Sequence, residues 1–273
     1  MDDSPDDELP TGLNGLERWS VADRLLTGIT AGYDEKRLIA HERAADTVPA
    51  GDLAAGLLDD ALDLAVRIER VAENRGCVTG PFVPTTGTVT LDGQATSGSV
   101  LADPATALIC DVGLSRTKPG RRLTLYARVV FLTALDPSQA WRGILIGKGD
   151  KDGTVDVVTI GPLGGDMAER SDEAKRRLAD LVDLYLEGMA TPVPIFPESS
   201  YMWQSSPTSD RRYRTGQKWE PDWRGEGGER EEPAHRMLFG GLDTAADLAA
   251  SDFPAYAERL WAPILDISNE ATV

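Results

Sequence analysis

A chain of 273 residues, 41% hydrophobic and 27% charged, is long enough for one large or two small domains with a substantial core. Its 28 basic and 45 acidic residues leave a net charge of −17, which opposes independent binding to nucleic acid, where Lys and Arg must neutralise phosphates. It has no apolar run of about 18 residues and an acidic start (Met1-Asp-Asp-Ser-Pro-Asp-Asp-Glu) unlike a signal peptide, so a cytoplasmic protein without membrane contact is expected.

Residues 1–12 read as an acidic disordered tail. From Leu13 the apolar residues Leu16, Val21, Leu25, Leu26 and Ile29 recur at helical steps, with Trp19 as an anchor and Gly28 and Gly32 ending the run. Asp34 can cap a second helix through Leu38 and Ile39 to about Asp46. A third runs from Asp52 to about Asn74, and Gly76 stands where a helix C-cap glycine belongs. These residues, 13–76, are expected to form a helical subdomain.

The character changes at Cys77. Thr86–Leu91 and Gln94–Leu101 flank Asp92-Gly93, a strong hairpin signal, and Ala105–Val112 reads as a third strand. The basic segment Arg116, Lys118, Arg121 and Arg122 leads into an amphipathic helix from Leu123 to Ala134, closed by Asp136-Pro137. Trp141–Gly147 and Thr154–Ile160 are further strands around a polar turn. Ser171 can cap a helix from Asp172 to Glu187, with Leu178, Leu181, Val182, Tyr185 and Leu186 on its apolar face. Gly188 is expected to break it, and Pro192, Pro194 and Pro197 to hold the next segment extended against the core through Val193, Ile195 and Phe196. Residues 77–204 thus form an α/β core. Residues 205–273 are expected to hold a polar excursion, mobile in part and anchored by Trp219 and Trp223, then closing helices with Phe253, Tyr256, Leu260 and Trp261 inward. The fold class is mixed α/β, a central sheet flanked by helices.

The two cysteines, Cys77 and Cys110, read as small buried hydrophobes rather than a disulfide framework. With His41 and His235 the only histidines, no Cys/His metal cluster can be assembled, and neither histidine reads as catalytic. The element order invites comparison with nucleases of the PD-(D/E)XK type, which need two carboxylates to hold a divalent metal and a Lys to support the nucleophile. The nearest residues are Asp103, Asp111 and Lys118, but Gly113 stands where the acidic-x-Lys triplet requires Lys. Gly161-Pro-Leu-Gly-Gly165 lacks the Gly-Lys-Ser/Thr ending of a phosphate loop and reads as a structural turn. The segment with functional colour is Arg116, Lys118, Arg121 and Arg122, which could meet phosphates or an acidic partner. The alternative is a solvated connection between strand and helix.

Four stretches resemble one family. They are Leu13-Asn-Gly-Leu-Glu-Arg-Trp-Ser-Val-Ala-Asp-Arg-Leu-Leu26; Leu123–Ala134 followed by Trp141-Arg-Gly-Ile-Leu-Ile-Gly147; Tyr185–Trp203 with its Pro-x-Pro; and Phe253–Pro263. Their order resembles the C-terminal domain of RecC, the exodeoxyribonuclease V gamma subunit, in its actinobacterial form. The resemblance implies an inactive PD-(D/E)XK (restriction-endonuclease-like) domain with a helical N-terminal extension. It implies a non-catalytic subunit role beside RecB-type and RecD-type partners, near the point where duplex DNA ends are split in recombinational repair. ATP and Mg would serve the complex, with no cofactor for this chain. The family's two helicase-like domains have no counterpart here, so a fragment, a split-gene product or a non-functional remnant is expected. The enzyme-class alternative is a standalone Mg-dependent nuclease.

Overall fold

The computed structural model describes residues 13–45, 48–49, 51, 53–78, 80–222 and 227–273. The expected tail, the helix limits at Asp46 and Asp52, and Trp223 lie outside these residues. The chain opens with helices α1 (Gly15–Thr30), α2 (Glu35–Ala44) and α3 (Leu53–Asn74). Asn14 and Glu17 form a capping box on α1, and Asp34 caps α2 through the amides of Lys36 and Arg37. Gly28 lies inside α1 rather than ending it. A Cβ there would fall 2.3 Å from Leu38 Cδ2, so glycine lets α2 close onto α1. Trp19 is 42% exposed and does not serve as the anchor.

A hairpin follows, β1 (Val83–Leu91) and β2 (Gln94–Ala102), with Leu91 paired to Gln94 across the Asp92-Gly93 turn. Both turn residues have positive φ, 44° and 87°, as a type I′ turn demands. The hairpin forms its own two-stranded sheet instead of joining the central one. Then come β3 (Leu108–Val112), α4 (Pro119–Leu135), β4 (Arg142–Lys148), β5 (Val155–Ile160) and α5 (Met167–Ala190). The third strand starts later than expected because Asp103 folds 103–107 into a turn, accepting from the Ala105 amide and the Thr106 hydroxyl. Helix α5 starts earlier, since Asp166 and Glu169 form a capping box that precedes Ser171, and it runs through Gly188 to Ala190. Tyr185 and Leu186, expected inside, are 65% and 42% exposed.

The C-terminal part holds α6 (Pro197–Ser205), α7 (Arg211–Trp219), a 3₁₀ turn (Glu229–Glu231), α8 (Pro233–Phe239), α9 (Ala245–Ala250), α10 (Phe253–Asp266) and β6 (Ser268–Thr272). Pro197 is therefore the first residue of a helix, where its missing N–H is harmless, and not part of an extended run. Within the expected polar excursion, Arg211–Trp219 forms a helix whose Trp219 enters a core of its own with Phe196 and Trp203. Strand β6 was not expected from the sequence.

The central sheet has the order β3-β4-β5-β6, with β3 and β4 parallel and the other pairs antiparallel. Its side chains alternate between two cores. Leu108, Ile144, Ile146, Val155 and Val157 meet α1 and α3 on one face. Ile109, Leu145, Val158 and Ile160 meet α4, α5 and α10 on the other. The hairpin lies on the far side of α4, where Val89, Leu91 and Val100 are buried. A third core gathers Phe196, Trp203, Trp219, Leu248, Phe253 and Ala257. Helix α10 joins the two, giving Phe253 and Ala257 to this core and Leu260, Trp261 and Ile264 to the sheet.

The cysteines are corrected as well. Cys77, just past α3, and Cys110, in β3, form a disulfide with Cα atoms 5.6 Å apart, rather than two isolated thiols. Closing a 33-residue separation stabilises a fold by about 3–4 kcal/mol through unfolded-state entropy. Among the described residues no helix is long and apolar enough to cross a membrane.

Candidate partner and nucleic-acid interface

The basic segment crosses the C-terminal ends of the parallel strands β3 and β4. Gly113 extends the pairing by donating to the Ile146 carbonyl. The chain then passes so close to β4 that a Cβ on Gly147 would lie 2.2 Å from the Ser115 carbonyl oxygen. Glycine at 147 is thus what brings Arg116–Arg122 onto the sheet end.

The four cations meet different environments. Arg121 is committed to the loop itself: it donates to the carbonyls of Ser115 (2.7 Å) and Arg116 (3.3 Å) and to Asp111 (2.7 Å). Arg122 is buried. It donates to Thr117 O at 2.8 Å, to the Tyr201 hydroxyl at 2.7 Å and to both Glu270 oxygens at 2.5 and 3.0 Å. Its guanidinium also lies 4.9 Å from the Tyr201 ring centre, and that ring packs edge-on against Trp261. One side chain of α4 thereby holds α6 and β6, and the Tyr201 ring carries the contact on to Trp261 of α10. Burial pulls the Arg122 pKa down, but the Glu270 bond and nearby negative charge outweigh it, and the net direction is upward. Burial likewise raises the Tyr201 hydroxyl. Arg116 points outward, 3.5 Å from an exposed Asp150. Lys118 is exposed at the N-cap of α4 and meets no carboxylate among the described residues.

Asp103, Asp111 and Lys118 occupy separate surroundings. Asp103 is buried in its turn, and its backbone exchanges hydrogen bonds with Leu108. Asp111 lies three residues further along β3, about 10 Å at the rise of a strand, and faces Arg121. Among the described residues no group of three or more His, Cys, Asp and Glu is placed to hold a metal ion. His41 is exposed, while His235 Nδ1 lies 2.6 Å from the Glu229 carbonyl with its ring against Phe196.

Sequence reasoning missed the partners of Arg122, because Glu270 sits in the unexpected β6. It also passed over Glu229, whose buried carboxylate accepts from the amides of Glu198 (2.9 Å) and Ser199 (2.7 Å) and caps α6. Burial raises the Glu229 pKa, against the pull of those amides. A second basic cluster went unnoticed in α7, whose nine residues include Arg211, Arg212, Arg214 and Lys218. The signal was present: Arg211, Thr215 and Trp219 recur at helical spacing, and Trp219 is fully buried.

A central mixed sheet clamped by helices, with a buried arginine tying the last strand to the fourth helix, makes a mixed α/β domain. The RecC C-terminal domain family matches residues 1–206, three quarters of the chain, and the chain belongs to it. It is similar to the RecBCD enzyme subunit RecC of Mycolicibacterium smegmatis (strain ATCC 700084 / mc(2)155), 26% identical over 277 residues covering 95% of this chain and 24% of that protein. The RecBCD enzyme subunit RecC of Mycobacterium tuberculosis H37Rv is 24% identical over 281 residues, covering 96% of this chain and 24% of its own length. The chain therefore spans about a quarter of the length of the curated relatives it matches. Coverage of 95% also carries the likeness past residue 206 into the C-terminal helices.

Proposed function

We propose that this chain acts as a non-catalytic RecC-type C-terminal module. It binds a RecB-type subunit first and DNA second, near the strand-splitting point of an exodeoxyribonuclease V (RecBCD) assembly that also holds a RecD-type subunit. In that assembly ATP and Mg serve the helicase and nuclease activities, and the process served is double-strand break repair by homologous recombination. The observation that carries the reading is the family match over residues 1–206. A nuclease-like ancestry for the α/β core, with its metal site lost, belongs to the same proposal. The loss of the metal site, though not the ancestry, fits Asp111 being engaged by Arg121 and Asp103 by its own turn, which leaves neither carboxylate directed at a common point. Within the basic segment Arg116 and Lys118 are the outward contacts, and Arg121 and Arg122 hold the shape that presents them.

The test is capture of the purified chain by the RecB-type subunit of the same organism, with and without a blunt duplex end. Capture that strengthens with DNA and weakens in Arg116→Ala/Lys118→Ala is expected. A well-folded chain that is not captured under either condition overturns the subunit role.

A further inference from the structure

The second basic cluster reaches a surface that the first does not. Helix α7 reads Arg211-Arg-Tyr-Arg-Thr-Gly-Gln-Lys-Trp219, four cations and no acid, in a chain whose net charge is −17. Thr215 and Trp219 anchor its inner face, and the Trp219 indole donates to Leu242 O at 2.7 Å. The outer face shows Arg212, Tyr213, Arg214 and Gln217, with Arg211 and Lys218 half-buried at its margins. Tyr213 is 72% exposed, and its hydroxyl accepts from Gln217 at 3.1 Å, which steadies the ring along the helix.

These cations are poorly neutralised. Lys218 lies 3.8 Å from Glu198 and Arg214 lies 3.9 Å from Asp210, both at the limit of an ion pair and partly solvated. Arg211 lies with its guanidinium 5.3 Å from the Trp203 ring centre, and its Nε is buried without a partner. Arg212 meets no carboxylate among the described residues. Glu220, the acid just beyond the helix, is committed to the Ala245 amide. Two of the arginines stand in the first turn, where the helix dipole is already positive and Asp210 makes no side-chain cap. Arg212 thus gains nothing from the helix dipole or from a carboxylate among the described residues, and Arg214 gains little, so their charge is suited to something outside.

We infer that the outer face of α7 binds a nucleic-acid strand with unpaired bases, Arg212 and Arg214 meeting successive phosphates and Tyr213 stacking on a base. Guanidinium forks match phosphate oxygens, and an exposed aromatic between them supplies a platform that an acidic protein surface does not need. The net charge of −17 opposes a polyanion elsewhere, so a strand is expected to favour the few outward basic stretches, of which this helix is one. The inference deepens the DNA-binding part of the proposed function and rests on it only for the source of the strand.

The experiment is a fluorescence-anisotropy titration of the full chain with a labelled oligothymidylate and with its duplex, at low and moderate salt. Wild type is expected to bind the single strand, more weakly as salt rises. Arg212→Ala/Arg214→Ala is expected to weaken binding by about tenfold and to make the slope of log K against log salt shallower by about 1.4. Tyr213→Ala is expected to weaken the single strand by about tenfold and leave the duplex unchanged. All three side chains are exposed, so circular dichroism and urea midpoint should match wild type. Binding that is unaffected by the arginine pair overturns the inference, as does a wild type that binds no oligonucleotide at low salt. If polyglutamate binds as tightly as the oligonucleotide and Tyr213→Ala changes nothing, the face belongs to an acidic protein and the inference also fails. Subunit capture is a separate readout: its loss in wild type sinks the RecC-type role, whereas an inert arginine pair with capture intact sinks α7 alone.

Discussion

The segment Arg116–Arg122 and the helix Arg211–Trp219 carry four cations each, yet the fold uses them in opposite ways. In the first, Arg121 and Arg122 turn inward and hold loop, sheet and C-terminal strand together. In the second, a buried tryptophan does the holding, and Arg212 and Arg214 face outward while Arg211 and Lys218 lie half-buried at the margins. Clustered positive charge is therefore half committed to structure in the first segment, through Arg121 and Arg122, and left outward at Arg212 and Arg214 in the second, and the difference lies in what the inner face of each segment offers. The first has no large apolar anchor of its own, so charge-assisted bonds fix its path.

The largest expected effect tests that division from the α7 side. Trp219→Ala removes a fully buried side chain that packs on Phe196 at a ring separation of 4.4 Å. A loss of about 3–5 kcal/mol is expected from urea unfolding. A loss below about 1 kcal/mol would mean that the third core does not hold α7 in place. Next comes Arg122→Ala, which strands Glu270 and the Tyr201 hydroxyl. A fully buried pair broken this way loses ~3–5 kcal/mol, and the half-exposed Glu270 reduces the expectation to about 2–3 kcal/mol. Arg122→Lys should recover less than half, since one ammonium cannot span Glu270 and Tyr201 as the guanidinium does.

How much of this contrast could be read in advance depends on the range of the interactions. The Asp34 cap, the Asp92-Gly93 turn and the end of α3 at Gly76 are local, and their residues announce them. The fates of Arg121 and Arg122 are not local: the two are adjacent, but one bonds Asp111 ten residues back and the other Glu270, 148 residues on. The strand that carries Glu270, Ser-Asn-Glu-Ala-Thr, is polar and exposed, and only pairing with β5 makes it a strand. The Cys77–Cys110 bond is equally invisible in composition, because the end of α3 meets β3 only once both pack in the same core. Helix α7 was obscured by its own charge, since hydrophobic periodicity is faint where two buried residues in nine define the inner face. Among the candidate site residues, the cations of the first segment were visible, but which of them point outward was not.

A pH series sharpens the comparison at the boundary of α6, where Glu229 is the buried charge. Burial raises its carboxyl above the ordinary value of 4.5, so the folded chain holds this proton more tightly than the unfolded one. Its contribution to stability is then fully present below pH 4.5 and falls as pH rises through the raised native value. Glu229→Gln keeps an acceptor for the α6 amides and removes the titration. Plotted against pH, wild-type stability minus that of the variant should decline across this window and level off above it. A difference that instead grows with pH would mean that the two amides, and not burial, govern Glu229.

The smallest effect is the most discriminating one. Arg212→Ala alone should change the unfolding free energy by less than about 0.5 kcal/mol, as for a surface residue without partners. The change should favour folding, because a cation leaves the positive end of α7. Arg121→Ala, also a single arginine in a basic cluster, loses the Asp111 bond and two carbonyl contacts and should destabilise by about 1–2 kcal/mol. Urea midpoints of the two variants, measured side by side, decide the issue. Equal and substantial losses would mean that α7 uses its charge for folding after all. A loss confined to Arg121 leaves Arg212 as a residue placed against the helix's own electrostatic preference, as expected of a contact made with another molecule.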